Sequence, residues 1–112
     1  MTVTVETSGS QAAVLGTEHT LHTNSGAKVF VLMVDTSSMQ LADTVILRLY
    51  VMPLTGGTAR VAYTSVFTHA QPDEPVKISI PLPSPGWTSA FKATLQQTEG
   101  TARSYDFAIL SV

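Results

Sequence analysis

The stretch Asp43 to Phe67, DTVILRLYVMPLTGGTARVAYTSVF, constrains the fold more than any other part of the sequence. Val45, Leu47, Leu49 and Val51 alternate with Ile46, Arg48, Tyr50 and Met52, a period of two that puts one set on each face of an extended strand. Pro53-Leu54-Thr55-Gly56-Gly57 follows, in which proline lacks an amide hydrogen for the ladder and the glycine pair can take positive φ. Beyond that reversal Val61, Tyr63, Ser65 and Phe67 alternate with Ala62, Thr64 and Val66. Two alternating segments joined by one tight reversal make a β-hairpin.

The rest of the chain extends the same pattern on both sides. Thr2-Val3-Thr4-Val5-Glu6 alternates, and Thr7-Ser8-Gly9-Ser10 breaks the alternation. Residues 1–10 therefore read as a short first strand or as an arm on a Gly/Ser hinge, able to dock on its own sheet or on a neighbour's. Gln11 to Leu15 is a weak strand that Gly16 punctuates, and Thr17 to Thr23 is a strand closed by the turn Asn24-Ser25-Gly26. Ala27 to Asp35 is an unbroken apolar run of strand length, expected to be central and buried on both faces. Thr36 to Ala42 interrupts the β pattern. Asp35 and Ser37 can begin a single helical turn there, with Met39 and Leu41 tucked beneath, the one place where helix is expected.

After the hairpin, His69 to Glu74 is a polar loop and Pro75 opens a strand. In it Val76, Ile78, Ile80 and Leu82 alternate with Lys77, Ser79 and Pro81, and the internal proline assigns it to an edge or a strand end. Leu82-Pro83-Ser84-Pro85-Gly86 is the densest proline stretch, an ordered surface loop leading to Trp87. Phe91, Ala93 and Leu95 alternate with Lys92, Thr94 and Gln96 in a strand closed by Thr98-Glu99-Gly100-Thr101, and Arg103 to Val112 carries Tyr105, Phe107 and Ile109 on one face. Seven or eight strands spaced about 8 to 12 residues apart predict an all-β fold, an antiparallel β-sandwich of jelly-roll type occupying residues 11–112. A chain of 112 residues can bury one core, so a single domain is expected.

Composition narrows the function. Charged residues are 12% of the chain, against about 25% in an average globular protein, so much of the surface is Thr, Ser, Gly, Gln or apolar. Such a surface suits a subunit packed against neighbours. The net charge is −2, and Lys28, Arg48, Arg60, Lys77, Lys92 and Arg103 are scattered singly, which argues against nucleic acid as a partner. Cysteine is absent, so disulfides and thiolate metal sites play no part. The N-terminus lacks the basic and apolar regions of a secretory signal, and no apolar run reaches the length of a membrane span. Folding in the cytoplasm, without a membrane partner, is the expectation.

No residue constellation points to chemistry. Asp35-Thr36-Ser37-Ser38-Met39 resembles the D-x-S-x-S metal site of von Willebrand-type adhesion domains until its last position, where a thioether replaces the hydroxyl a hard cation needs. A strand ending in an Asx turn is the simpler reading. His19 and His22, three apart on a strand, are expected on opposite faces. His69 with Asp73 and Glu74 reads as a solvated loop. Without a G-x-S-x-G elbow, a cysteine or a pair of acids in a cleft-like context, no catalytic, cofactor-binding or metal-binding residue is assigned and an enzyme is not expected. Trp87 is either an interface anchor, since an aromatic on an ordered loop offers large contact area at small entropic cost, or the cap on the open end of the sandwich.

The order of segments GTEHTLHT, then VFVLMVDTSSMQLADTVILRLYVMPLTGGTARVAYTSVFTHAQ, then the proline-rich strand and QQTEGTARSYDFAILSV, resembles small virion structural proteins of tailed bacteriophages. The resemblance spans Gly16 to Val112 and rests on strand and turn pattern. It implies a capsid decoration or cement protein of the virion, assembled in the host cytoplasm, that binds the major capsid protein or another virion protein and forms a dimer or trimer. The residues expected to make contact are Val3 and Val5 in the arm and Pro83, Pro85 and Trp87 in the loop. A neck, tail or fibre-base component and a glycan-binding β-sandwich are the alternatives.

Overall fold

The computed structural model describes residues 2–112. Its nine strands are β1 (Thr4–Ala12), β2 (Glu18–Asn24), β3 (Val29–Asp35), β4 (Thr44–Val51), β5 (Arg60–Thr68), β6 (Val76–Ile78), β7 (Leu82–Pro83), β8 (Phe91–Glu99) and β9 (Ser104–Ser111). They form two antiparallel sheets, one ordered β1-β9-β3-β6 with β7 also on β3, the other β2-β8-β4-β5. Among the described residues there is no helix.

The hairpin is the centre of this topology. From the β4–β5 reversal outward, each strand pairs with its mirror counterpart along the chain: β4 with β5, β3 with β6 and β7, β2 with β8, and β1 with β9. Pairing of β3 with β9 and of β4 with β8 then closes the rolled ribbon into two layers.

Alternation sets what lies between the layers. Phe30, Leu32 and Val34 of β3 and Tyr105 and Ile109 of β9 face Val45, Leu47 and Leu49 of β4 and Phe91, Ala93 and Leu95 of β8, all buried. The rings of Phe30 and Phe91 stack across the gap at 4.2 Å between centroids. Each large side chain buried here stabilises the fold by about 1.5–3 kcal/mol.

One end of the roll is closed by polar groups. Gln97 is fully buried with both ends of its amide used: Nε2 donates to the carbonyls of Glu99 (3.0 Å) and Thr101 (2.7 Å), while Oε1 accepts from the Arg103 amide (3.1 Å) and the Tyr105 hydroxyl (2.9 Å). Beside it the buried Asp43 carboxylate accepts from the amides of Gln40 and Thr101 and from Arg103 Nε at 2.9 Å. Burial alone would raise the Asp43 pKa, but the hydrogen bonds from Gln40, Arg103 and Thr101 outweigh it and hold the carboxyl below its ordinary range. Burial, with the Asp43 charge nearby, pushes the Tyr105 phenol up to about 12.

Several local expectations need correction. The Thr7–Ser10 segment does not break the first strand: β1 runs on to Ala12 and pairs with β9 of its own sheet, because Gly9 sits in the ladder opposite Phe107 and a bulge between Val5 and Thr7 absorbs the irregularity. The run before Asp35 buries one face fully and the other only in part, since its sheet has no layer outside it, leaving Val29, Val31 and Met33 partly exposed. Residues 36–42 form turns, and while Met39 is buried, Leu41 is 80% exposed.

The strand after Pro75 is also inverted relative to its alternation, with Val76, Ile78 and Ile80 outward and Ser79 buried. Between β6 and β7 the β3 backbone lacks a strand partner. The Ser79 hydroxyl fills that role, accepting from the Leu32 amide at 2.9 Å and donating to the Ile80 carbonyl, while the Ser79 amide donates to the Leu32 carbonyl. The Leu32 amide, which would otherwise be buried without an acceptor, finds one in the Ser79 hydroxyl, so the serine goes inside.

Candidate functional site

The two outer faces differ in kind. On the β2-β8-β4-β5 sheet the outward side chains are laced together. Glu18 Oε2 accepts from the hydroxyls of Tyr50 and Thr94, both at 2.6 Å, and Arg48 donates to Gln96 Oε1 at 2.9 Å while its Nη1 lies 3.5 Å from Glu18. Lys92 sits over the Tyr50 ring at 4.2 Å. Burial works to raise the Glu18 pKa, but the Thr94 and Tyr50 hydrogen bonds and the Arg48 charge lower it overall. These groups satisfy one another, so this face has little left for a partner.

The outer face of the β1-β9-β3-β6 sheet is apolar. Register sets its rows: Val5 lies opposite Leu110, which lies opposite Val31, and Ser8, Ala108, Met33 and Ile78 form the next row. Val29 pairs with Pro83 at one end and exchanges backbone hydrogen bonds with Val112. At the other end Asp35 and Asp106 lie opposite each other, with Val76 beside Asp35. Val5 and Ile78 are each 60% exposed, and Val76, Ile80 and Val112 are about half exposed. A shallow groove of ≈ 160 Å³ lined by Met33, Asp35, Val76, Asp106, Phe107 and Ala108 runs into this face. A contiguous apolar sheet face bordered by two carboxylates has the character of an adhesive surface.

Three of the five residues expected to make contact relate to this face. Val5 and Pro83 occupy outward positions in its rows, and Val3, 59% exposed, directly precedes β1. Pro85 is exposed in the loop beyond β7, and Trp87 is half-buried with its indole Nε1 enclosed and without a hydrogen-bond partner. Sequence reasoning missed Val31, Met33, Ile78, Ile80 and Leu110. The signal was present in AKVFVLMVD, where apolar side chains on both faces of a strand mean either a second covering layer or an outer surface that is itself apolar.

The titratable candidates are occupied locally. A bulge between Thr20 and His22 pairs His19 with Leu95 and His22 with Ala93, two inward positions of β8, so the two histidines share a side rather than taking opposite faces. His19 Nε2 accepts from the Val14 amide, His22 Nε2 lies 3.1 Å from the Asn24 side-chain amide, and His69 Nδ1 accepts from the Ala42 amide. Asp35 Oδ1 accepts from the Ser37 amide at 2.9 Å, the Asx turn of the simpler reading. Among the described residues no group of three or more His, Asp or Glu side chains converges, and no helix is long and apolar enough to cross a membrane. Compared with protein-family models, curated proteins and solved structures, the chain matches none.

Proposed function

We propose that this chain is a virion structural protein of a tailed bacteriophage, a capsid decoration or cement protein that binds the major capsid protein across shell subunits and stabilises the head. The observation that carries the reading is the apolar outer face formed by Val5, Leu110, Val31, Met33, Ile78 and Val76, set on a rigid sheet. Adhesion of that kind adds contact area between subunits and requires no turnover of a substrate. The strand order supports it at the level of analogy: with β6 and β7 counted as one strand, the rolled ribbon corresponds to a jelly roll, a topology used in viral capsid and lectin domains. A half-buried Trp87 presents only part of its ring, which favours protein adhesion over stacking on a glycan.

The test is addition of purified protein to undecorated phage shells. Wild-type protein co-sediments with the shells and raises their disruption temperature, whereas Ile78→Lys, which places a charge at the exposed β6 margin of the face, does neither while keeping its own melting temperature. Failure of the wild-type protein to bind shells rejects the reading. Binding to portal or tail complexes instead, at a few copies per particle, transfers the protein to the neck or tail.

A further inference from the structure

Each sheet ends in two edge strands, and three of the four carry features that discourage pairing with another chain. β6 is three residues long and bracketed by Pro75 and Pro81. β2 is bulged between Thr20 and His22 and opens on Glu18. β1 is bulged at Glu6, whose carboxylate accepts from Asn24, Lys28 and Ser111 beside that edge. Natural sheets protect their edges with shortness, proline, bulges and charge.

β5 has none of these over most of its length. It spans nine residues, and from Val61 to Phe67 it reads VAYTSVF, without charge, proline or glycine. Its one irregularity lies at its start, where the register with β4 shifts beside Val61. Val61 and Val66 are about half exposed. The backbone groups on the open side follow from the ladder phase. The His69 amide donates to the Asp43 carbonyl at 2.8 Å, so the amides of Phe67, Ser65 and Tyr63 point toward β4 and those of Thr64, Val66 and Thr68 point away from the sheet.

We propose that β5 is a self-association edge, to which a second copy of this chain adds its own β5, antiparallel, across a twofold axis at Thr64. The strand is self-complementary in that register. Thr64 is the midpoint of Arg60–Thr68, and the pairing sets Thr64 against Thr64 and Ala62 against Val66, with the register shift beside Val61 bounding the ladder at each end. Each Arg60 lies toward the Thr68 end of the other copy, so like charges are never opposed. The ends match as well. Leu54 in the hairpin reversal is 70% exposed and Leu41 is 80% exposed, and Leu41 lies beside the far end of β5, where the Ala42 amide bonds His69. Antiparallel pairing brings the Leu54 end of each copy next to the Leu41 end of the other. The product is a continuous eight-stranded sheet made from two copies of β2-β8-β4-β5. This inference does not depend on the virion reading, because it uses a different surface and needs no second protein.

Light scattering coupled to size exclusion tests it on the whole chain. Wild-type protein at micromolar concentration is expected at twice the mass of one chain. Thr64→Glu faces Arg48 within its own sheet, so the fold tolerates it, but it opposes two carboxylates at the twofold axis and leaves the single-chain mass with unchanged circular dichroism. A second variant reads the register directly. The chain has no cysteine, and paired residues of this type lie about 5.5 Å apart at Cα, within the span of a disulfide, so Thr64→Cys forms a covalent dimer on oxidation. A wild-type protein that stays at single mass, or a Thr64→Glu protein that keeps double mass, overturns the proposal, as does a Thr64→Cys protein that fails to cross-link. Loss of the double mass in Ile78→Lys but not in Thr64→Glu would move self-association to the apolar face and overturn it equally.

Discussion

Replacing Gln97 by methionine keeps the volume of a buried side chain while removing four hydrogen bonds, and its cost follows from where the four partners are left. The carbonyls of Glu99 and Thr101 belong to exposed residues and the Arg103 amide to a partly buried one, so these three groups lie nearer the surface than Tyr105 and their loss is the milder part. Together they lose about 1–2 kcal/mol. The Tyr105 hydroxyl is different: its residue is fully buried, and among the described residues Gln97 Oε1 is the one acceptor it reaches. An orphaned hydroxyl there costs about 1–3 kcal/mol, for a total of about 3–4 kcal/mol. Tyr105→Phe alone leaves Oε1 paired with the Arg103 amide and costs about 1 kcal/mol. In the double variant the orphan is gone, so Gln97→Met with Tyr105→Phe is less damaging than the sum of the singles by at least about 1 kcal/mol. Urea unfolding followed by fluorescence of the single tryptophan, Trp87, gives all four stabilities. Additive costs, or a Gln97→Met protein within about 1 kcal/mol of wild type, would refute the argument.

The other predictions concern the same end of the roll and the tryptophan. Because the folded Asp43 pKa lies below its ordinary value of 3.8, its contribution is fully present above that value and is lost as pH falls through the folded one. Asp43→Asn should therefore flatten the acid limb of a stability–pH curve and cost roughly 2–3 kcal/mol at neutral pH, measured by urea unfolding from pH 2 to 7. Gly100 has φ +87°, and a Cβ there would meet the Asp43 carboxylate and the Ala42 carbonyl, so Gly100→Ala should destabilise by more than about 1 kcal/mol in urea unfolding. Lys28→Ala, which removes an ion pair to Glu6 at 3.1 Å with the lysine 42% exposed, should change stability by less than about 1 kcal/mol. Trp87 emission should be blue-shifted from that of a solvated indole and move red on unfolding; a native emission already at the solvated position would contradict the enclosed Nε1.

Local pattern determined the element types. A period of two across Val45–Val51 and Val61–Phe67 and the Pro/Gly reversal between them specify a hairpin, because a pleated strand turns successive side chains to opposite faces whatever surrounds it. The all-β class and the two-layer architecture follow from repeating that pattern along the chain. What periodicity cannot carry is which face of a strand meets the core and which neighbour fills its ladder. Val76, Ile78 and Ile80 look inward by composition, yet the unpaired Leu32 amide of a strand more than forty residues away draws Ser79 inside and turns the isoleucines out. The same limit hid the contiguity of Val5, Leu110, Val31 and Met33, which lie on three strands and meet only through register. A bulge, invisible in residue spacing, brought His19 and His22 to one side. Alternation is a property of the chain; which face is wet is a property of the pairing, settled by hydrogen bonds between residues far apart in sequence.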